Sequence, residues 1–415
     1  MNFHIKTLGC KMNLYDSEKL ADELLKLGLK QKETAENVDF LIVNSCTVTN
    51  SADHKSRQAI TNLKKQSPQA KVIVIGCGAK KDAKQFQEKA EVDFVSGEQA
   101  EILEYLKQAV SHELRATSYK PPNPLFKGER TRANIKIQNG CENYCSYCII
   151  AFVRGKSESV PAQKIIAEIQ EKEKAGVREI VLTGINIGAY GASLTTKPQE
   201  NTFAELLEEI LEKTEIPRIR LSSIGPQYFS DKLIQVLNHP RICQHLHLSI
   251  QSCSNAVLKK MNRPYTIESV IELAEKLRKV MPDIALTSDI ITGFPEETAE
   301  NHQETLANLQ KIQLMKIHIF PYSIREGTVA AKMRQVPHNL KMQRKKDLAE
   351  LAEKMRADFL NQQIGQTKKV LFENKNKQGF WEGYTDNYIR AQIQSTENLA
   401  NQIQTIRLVA GNVIF

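Results

Sequence analysis

Three of the eight cysteines stand in one eight-residue run, Cys141-Glu142-Asn143-Tyr144-Cys145-Ser146-Tyr147-Cys148. Three thiolates at spacings of four and three suit a soft metal or an iron–sulfur cluster. Structural zinc usually takes four protein ligands, often from paired C-x2-C units. The triplet therefore either recruits a distant fourth ligand or leaves a coordination position open to substrate. Core packing is a poor account of such thiol density in one loop. Three more cysteines, Cys10, Cys46 and Cys77, are far apart, yet each directly follows an apolar run that reads as a β-strand. If those strands are parallel, their carboxyl ends share one edge, where open α/β sheets bind ligands. That edge is the expected place of a second metal or cluster site. Cys243 and Cys253 lie outside both sets, and are expected to be small buried hydrophobes rather than ligands.

The elements that must position these thiols follow from apolar periodicity. Ile5–Leu8, Phe40–Val43, Val72–Ile75 and Val92–Val95 read as buried strands. Between them, Ser17–Leu27, Ala52–Lys65, Ala83–Ala90 and Ala100–Val110 read as helices. Residues 1–110 are thus expected to form a doubly wound parallel α/β sheet. The proline-rich stretch Tyr119–Pro124 falls in an expected linker, 111–131. Six further β/α units, with strands at Ala133–Gln138, Glu179–Ile185, Arg218–Ile224, His245–Ile250, Ala285–Ile291 and Met315–Phe320, fit a partial or complete parallel barrel over 132–362, with helical propensity resuming in the charged segment Leu340–Asn361. Short strands alone follow at Lys369–Phe372, Phe380–Tyr384, Ile389–Ile393, Ile403–Val409 and Val413–Phe415, so 363–415 is expected to be a small β-barrel.

With 415 residues, 41% of them hydrophobic and 25% charged, the chain is neither a disulfide miniprotein nor a disordered or collagen-like one. No apolar run approaches the ~18 residues of a membrane span, and Met1–Lys6 leads into a strand pattern without a signal-peptide core. A cytoplasmic location is expected, where reducing thiol pools leave cysteines for metal or redox chemistry. The net charge is +9, and the excess gathers mid-chain: 1–110 holds 16 basic and 15 acidic residues, whereas 115–160 holds eight and three. An anionic partner is favoured, although charge alone does not single out nucleic acid. The charged run Lys341, Arg344, Lys345 and Lys346 is expected to be a solvated helix face. Trp381, Tyr384, Tyr388 and Arg390 offer stacking and cationic surfaces to RNA, with some of those aromatics needed for the core.

The C-x3-C-x2-C spacing, with aromatic Tyr147 before the third cysteine, resembles the signature of the radical S-adenosylmethionine (SAM) superfamily. That resemblance implies a [4Fe–4S] cluster held by Cys141, Cys145 and Cys148, SAM chelated at the remaining iron, and one-electron cleavage to a 5′-deoxyadenosyl radical. It also implies SAM contacts at Tyr147, Thr183, Gly184, Ser222 and Gln251. The common family pattern has Gly where this chain has Cys253. The runs Thr7-Leu8-Gly9-Cys10-Lys11-Met12-Asn13, Asn44-Ser45-Cys46-Thr47-Val48-Thr49 and Gly76-Cys77-Gly78 look like the N-terminal domain of methylthiotransferases, and Trp381–Asp386 resembles the TRAM RNA-binding module. The resemblance covers nearly the whole chain. It implies that Cys10, Cys46 and Cys77 hold a second [4Fe–4S] cluster and act catalytically in sulfur transfer.

Within that family, Leu8-Gly9-Cys10-Lys11 and Gly383-Tyr384-Thr385-Asp386-Asn387-Tyr388 most resemble the branch that modifies N6-threonylcarbamoyladenosine beside the tRNA anticodon. The implied product is the 2-methylthio derivative, with tRNA as partner and an external electron donor; the sulfur source is not legible. Two alternative substrates are isopentenyl-adenosine in tRNA and a ribosomal-protein aspartate. A third reading is a noncatalytic, metal-stabilised RNA-binding protein.

Overall fold

The computed structural model describes residues 1–111, 131–192 and 202–414; the expected linker at Tyr119–Pro124 lies outside them. The chain divides into two compact units: the described part of Met1–Leu125 together with Cys148–Gly155, and the rest.

The first unit runs β1 (Asn2–Thr7), α1 (Lys11–Lys26), β2 (Lys30–Gln31), β3 (Phe40–Ser45), α2 (Asn50–Gln66), β4 (Lys71–Gly76), α3 (Cys77–Lys81), α4 (Ala83–Gln87), β5 (Phe94–Val95) and α5 (Gln99–Ser111). All five strands pair in parallel in the order β2-β1-β3-β4-β5. Strand alternation explains why helices cover both faces. Phe40, Ile42, Ile73 and Ile75 pack with Leu24 of α1 and Leu106 of α5, whereas Leu41, Val43, Val72 and Val74 pack with Ile60 of α2 and Phe86 of α4. The sheet is therefore doubly wound, with its topological switch between β1 and β3.

In the second unit come β6 (Arg132–Lys136) and β7 (Gln138–Asn139); the next helix, α6 (Ile150–Arg154), groups with the first unit. The second unit resumes with β8 (Glu158–Ser159), α7 (Ala162–Lys174), β9 (Glu179–Thr183), α8 (Phe203–Lys213), β10 (Arg218–Leu221), β11 (Ser223–Ile224), α9 (Asp231–Leu237), β12 (His245–Gln251), α10 (Asn255–Lys260), α11 (Ile267–Val280), β13 (Ala285–Thr292), α12 (Ala299–Ile312), β14 (Lys316–Pro321) and α13 (His338–Gln363). Parallel ladders β10-β9-β6 and β11-β12-β13-β14 form an arc of six β/α units. The run Arg218–Ile224, expected as one strand, breaks at Ser222, and its halves pair with β9 and β12 respectively. No pairing joins β6 to β14 among the described residues, so the arc is open. Its outward residues, such as Ile135, Leu182, Ile219, Leu248 and Ile290, share one core with the helices.

Strands β15 (Thr367–Lys375), β16 (Trp381–Thr385), β17 (Arg390–Ile393) and β18 (Ile403–Arg407) form a small antiparallel sheet, ordered β17-β16-β15-β18. The expected strand from Val413 is reduced to a bridge with Ala391. This sheet docks at the amino-terminal ends of barrel strands. Arg218 donates to Tyr384 O and Thr385 O (3.0 and 2.7 Å), and Arg220 to Asp386 O (2.9 Å). Both arginines pair with Glu179, at 2.8 and 2.7 Å. Tyr388 stacks on His245 and Tyr384, with Arg220 over its face, while Trp381 is buried and donates its indole N–H to Glu397 O. These aromatics thus serve docking and core more than an open RNA surface. The basic run on α13 also departs from a solvated face: Arg344 is buried on Glu297 and Lys341 packs over Tyr322, leaving Lys345 and Lys346 outside.

Burial opposes ionisation of Glu179, but Arg220 and Arg218 outweigh it and hold its carboxyl down at about 2. Replacing it (Glu179→Gln) strands two buried guanidinium groups and is expected to cost about 3–5 kcal/mol, read as a lower denaturation midpoint. Because the folded carboxyl titrates below the unfolded one, its stabilisation is present above an ordinary carboxylate pKa of ~4.3 and is lost as pH falls toward about 2. Across that window the parent should lose more stability than the variant.

Candidate active site

At the switch of the first sheet, three strands deliver three thiols. Cys10 caps α1 immediately after β1, Cys46 follows β3, and Cys77 opens α3 directly after β4. The 16-residue α1 begins at this edge, and the partial positive charge of a helix amino terminus favours a thiolate over a thiol. Asn13, fully buried, ties the edge together: its amide donates to Leu8 O (2.8 Å) and Ser45 O (2.9 Å), the residues flanking two of the thiols. Close approach is enforced at Gly9, whose φ is +101° and whose missing Cβ would lie 2.9 Å from Cys46 Sγ. Gly9→Ala is expected to cost about 1–3 kcal/mol through backbone strain and to lower iron loading of this unit, measured by thermal unfolding and iron content.

Cys10 is exposed, whereas Cys46 and Cys77 are buried. Burial pushes the Cys46 thiol up, with Cys10 and Cys77 adding to the effect. Burial likewise raises Cys77, although the neighbouring Arg154 guanidinium pulls the other way. Thiols of this kind deprotonate when they bind metal, releasing protons as the site assembles. No three His, Cys, Asp or Glu side chains among the described residues are arranged to hold a single metal ion. A cluster asks for something different, because each thiolate binds a different iron and the thiols stand farther apart than ligands converging on one ion.

In the second unit, Cys141 and Cys145 lie in the loop after β7 and are half-buried. Several of the bonds that hold the loop do not involve its thiols. Tyr228 bridges Asn143 (3.0 Å) and Asn186 (2.7 Å), Asn262 donates to Tyr144 O (3.1 Å), and Ser146 donates its hydroxyl to Lys260 O and its backbone N–H to Met261 O. Tyr147 packs edge-on against Phe294 in a small cluster with Met261. Cys148 begins the segment that belongs to the first unit, and its sulfur accepts from Ile150 N at 3.4 Å.

The other anticipated SAM contacts lie at or just after the carboxyl ends of strands. Thr183 is buried at the end of β9; beside it, a Cβ on Gly184 would lie 2.9 Å from Gln138 O and from Ile187. Ser222, at the break between β10 and β11, is buried, and its hydroxyl has no hydrogen-bond partner among the described residues. Gln251 ends β12 at φ +72°, beyond a register shift, an outlying backbone for a non-glycine residue. An unpaired buried hydroxyl and a glycine-lined approach fit a polar ligand's hydrogen-bonding groups. Cys253 is fully buried in the barrel core, and Cys243 is buried beside Glu179. Asn13, Asn143, Tyr228, Arg154 and Arg263 were not anticipated as site residues. Asn13 and Asn143 sit inside the cysteine motifs; the other three reach the site from distant positions and carry no spacing signal.

Residues 2–97 match the model of the uncharacterized protein family UPF0004, and residues 135–309 match that of the radical SAM superfamily. The solved radical SAM methyltransferase TsrM from Kitasatospora setae, with cobalamin and a [4Fe-4S] cluster bound, shares the fold at a TM-score of 0.58 and 15% identity, over 80% of this chain and 77% of its own. The class is thus that of radical SAM enzymes, with a thiol-bearing α/β domain ahead of the barrel. The threonylcarbamoyladenosine tRNA methylthiotransferase MtaB of Bacillus subtilis is 36% identical over 98% of this chain and 93% of its own length. Its counterpart in Thermotoga maritima is 34% identical, covering 97% and 93%. The tRNA-2-methylthio-N(6)-dimethylallyladenosine synthase of Thermotoga petrophila is 35% identical, covering 92% and 88%. The chain belongs to the radical SAM methylthiotransferase family, whose chemistry uses SAM and [4Fe–4S] clusters.

Proposed function

We propose that the protein methylthiolates N6-threonylcarbamoyladenosine beside the anticodon of tRNA, giving its 2-methylthio derivative. The observation that carries this reading is the pairing of two thiol sites in one chain, one at the switch point of the first sheet and one in the barrel's cysteine loop. Lys11 after the first cysteine and the Gly383–Tyr388 run favour this substrate over isopentenyl-adenosine or a ribosomal-protein aspartate. Relatives named for the threonylcarbamoyl substrate cover up to 98% of the chain.

In this reading Cys141, Cys145 and Cys148 anchor the SAM-binding cluster. Tyr147, Thr183, Gly184, Ser222 and Gln251 line the cofactor, with the unpaired Ser222 hydroxyl available to it. Cys10, Cys46 and Cys77 anchor a second cluster for sulfur transfer. When bound, cluster and SAM together supply one-electron cleavage to a carbon-centred radical able to attack an unactivated C–H bond. The chain's own residues position the thiols and shape the barrel's interior. The domains are taken as 1–110, a linker at 111–131, the barrel at 132–362 and a TRAM-like module at 363–415. That module adds RNA-binding surface, and the enzyme works in the cytoplasm with an external electron donor. No helix among the described residues is long and apolar enough to cross a membrane.

The test is anaerobic reconstitution with reductant, SAM and tRNA lacking the methylthio group, followed by mass spectrometry. Both 5′-deoxyadenosine and the methylthio nucleoside are expected. Deoxyadenosine without that nucleoside would redirect the substrate, and neither product from a preparation verified to hold two clusters would favour a noncatalytic RNA-binding protein.

A further inference from the structure

Each thiol site has a partly buried arginine aimed at one of its sulfurs. In the first unit, Arg154 on α6 directs Nε at Cys77 Sγ, 3.1 Å away. Its other two nitrogens donate to Asp16 Oδ2 (3.0 Å) and Asn13 Oδ1 (2.8 Å), and its side chain is 7% exposed. In the second unit, Arg263 directs one terminal nitrogen at Cys145 Sγ, also at 3.1 Å. Its remaining nitrogens are held by Tyr265 Oη (2.7 Å) and Ser249 O (2.6 Å). In both cases two oxygen acceptors fix the plane of the guanidinium and leave one N–H on sulfur. Arginine stays charged under all relevant conditions, and its rigid fork holds such an arrangement as lysine would not.

We propose that Arg154 and Arg263 are positioning residues, each holding a guanidinium against one cluster-anchoring cysteine and thereby setting the reduction potential of its own cluster. The proposal rests on the assignment of the two cysteine triplets as cluster anchors. Reduction adds an electron to the cluster and its sulfurs. A donor N–H and a positive charge at a ligand sulfur stabilise that added charge and raise the potential. Partial withdrawal from water enlarges the effect, more so at buried Cys77 than at half-buried Cys145. The two sites should differ in degree. The Arg154 charge is partly offset by the Asp16 carboxylate, whereas the oxygen partners of Arg263 are a phenol and a backbone carbonyl. Arg263 therefore acts on its cluster with less compensation.

The experiment is potentiometric EPR of the anaerobically reconstituted full-length chain as parent, R154Q, R154K, R263Q and R263K. Signals are assigned with two reference variants carrying Ala at 10, 46 and 77 or at 141, 145 and 148. R154Q is expected to lower the potential of the first-unit cluster alone, and R263Q that of the SAM-binding cluster alone. At fixed potential the reduced-to-oxidised ratio should fall about tenfold, ~59 mV for a one-electron couple, with the larger shift in R263Q. The Lys variants should recover part of the shift. Unchanged potentials at full iron and sulfide content would overturn the proposal, as would loss of iron from both the Gln and the Lys variant at one site, which marks a purely structural role. Full iron retention in the triple-Ala variants would instead defeat the cluster assignment itself, a separate result from either outcome at the arginines.

Discussion

Alanine at Cys141, Cys145 or Cys148 is expected to reduce SAM cleavage to background. Loss of one thiolate removes an anchor from the iron site and with it the route by which an electron reaches SAM. The fold should survive the change. The bridge from Asn143 through Tyr228 to Asn186 and the bonds of Ser146 to the Lys260–Met261 turn hold the loop without help from sulfur. Thermal unfolding of cluster-free Cys141→Ala should therefore match the cluster-free parent closely, with a modest loss in the Cys145 and Cys148 variants, whose sulfurs accept from Arg263 and from Ile150 N; after reconstitution, iron content falls by one cluster. Anaerobic assay for 5′-deoxyadenosine gives the decisive reading: undiminished cleavage in all three variants would refute the role of the triplet.

The converse pattern is expected at the other thiols. With Ala at Cys10, Cys46 or Cys77, SAM cleavage should persist while formation of the methylthio nucleoside is lost. The reason is that these residues are a distinct thiol set: they belong to the edge of the first sheet, where Asn13 and Gly9 set their approach. Cys77→Ala carries an additional effect, since it leaves Arg154 with Asp16 and Asn13 as its partners among the described residues. Nucleoside digests of tRNA after reaction, measured alongside 5′-deoxyadenosine, separate the two activities. Normal methylthiolation by these variants would remove the second site from the reaction.

Much of this arrangement was legible because it is written in short-range patterns. Phe40–Val43 is apolar at every position, which required a strand buried on both faces, and Leu41 and Ile42 indeed enter opposite cores. The placement of Cys10, Cys46 and Cys77 after successive parallel strands likewise carried their common edge. What remained hidden was long-range. Arg154 is 77 residues from Cys77, and Arg263 is 118 residues from Cys145; no periodicity connects such pairs. Helix α1 starts at Lys11 rather than Ser17: its first turns bury Met12 and Tyr15, but polar Asn13 and Ser17 are buried beside them and blur the apolar stripe. Strand β2 has two exposed residues, and nothing apolar marks it. In the C-terminal sheet, aromatic residues suited to stacking on bases proved equally suited to stacking on arginine and histidine, and composition does not distinguish those partners.

Glu179, clamped between two arginines that also grip the backbone of the C-terminal sheet, makes that sheet a fixed platform rather than an appendage on a leash. In the proposed reading, nucleic acid held there would meet the barrel at a set offset, without the loop-closure entropy that a flexible tether would exact. The same clamp complicates genetic dissection. Truncation after Gln363 would strip Arg218 and Arg220 of the carbonyls of Tyr384, Thr385 and Asp386, so weakened tRNA binding in such a fragment would mix a lost surface with a damaged barrel floor. Charge reversal at exposed Lys369 and Lys377 leaves the clamp in place and isolates the surface.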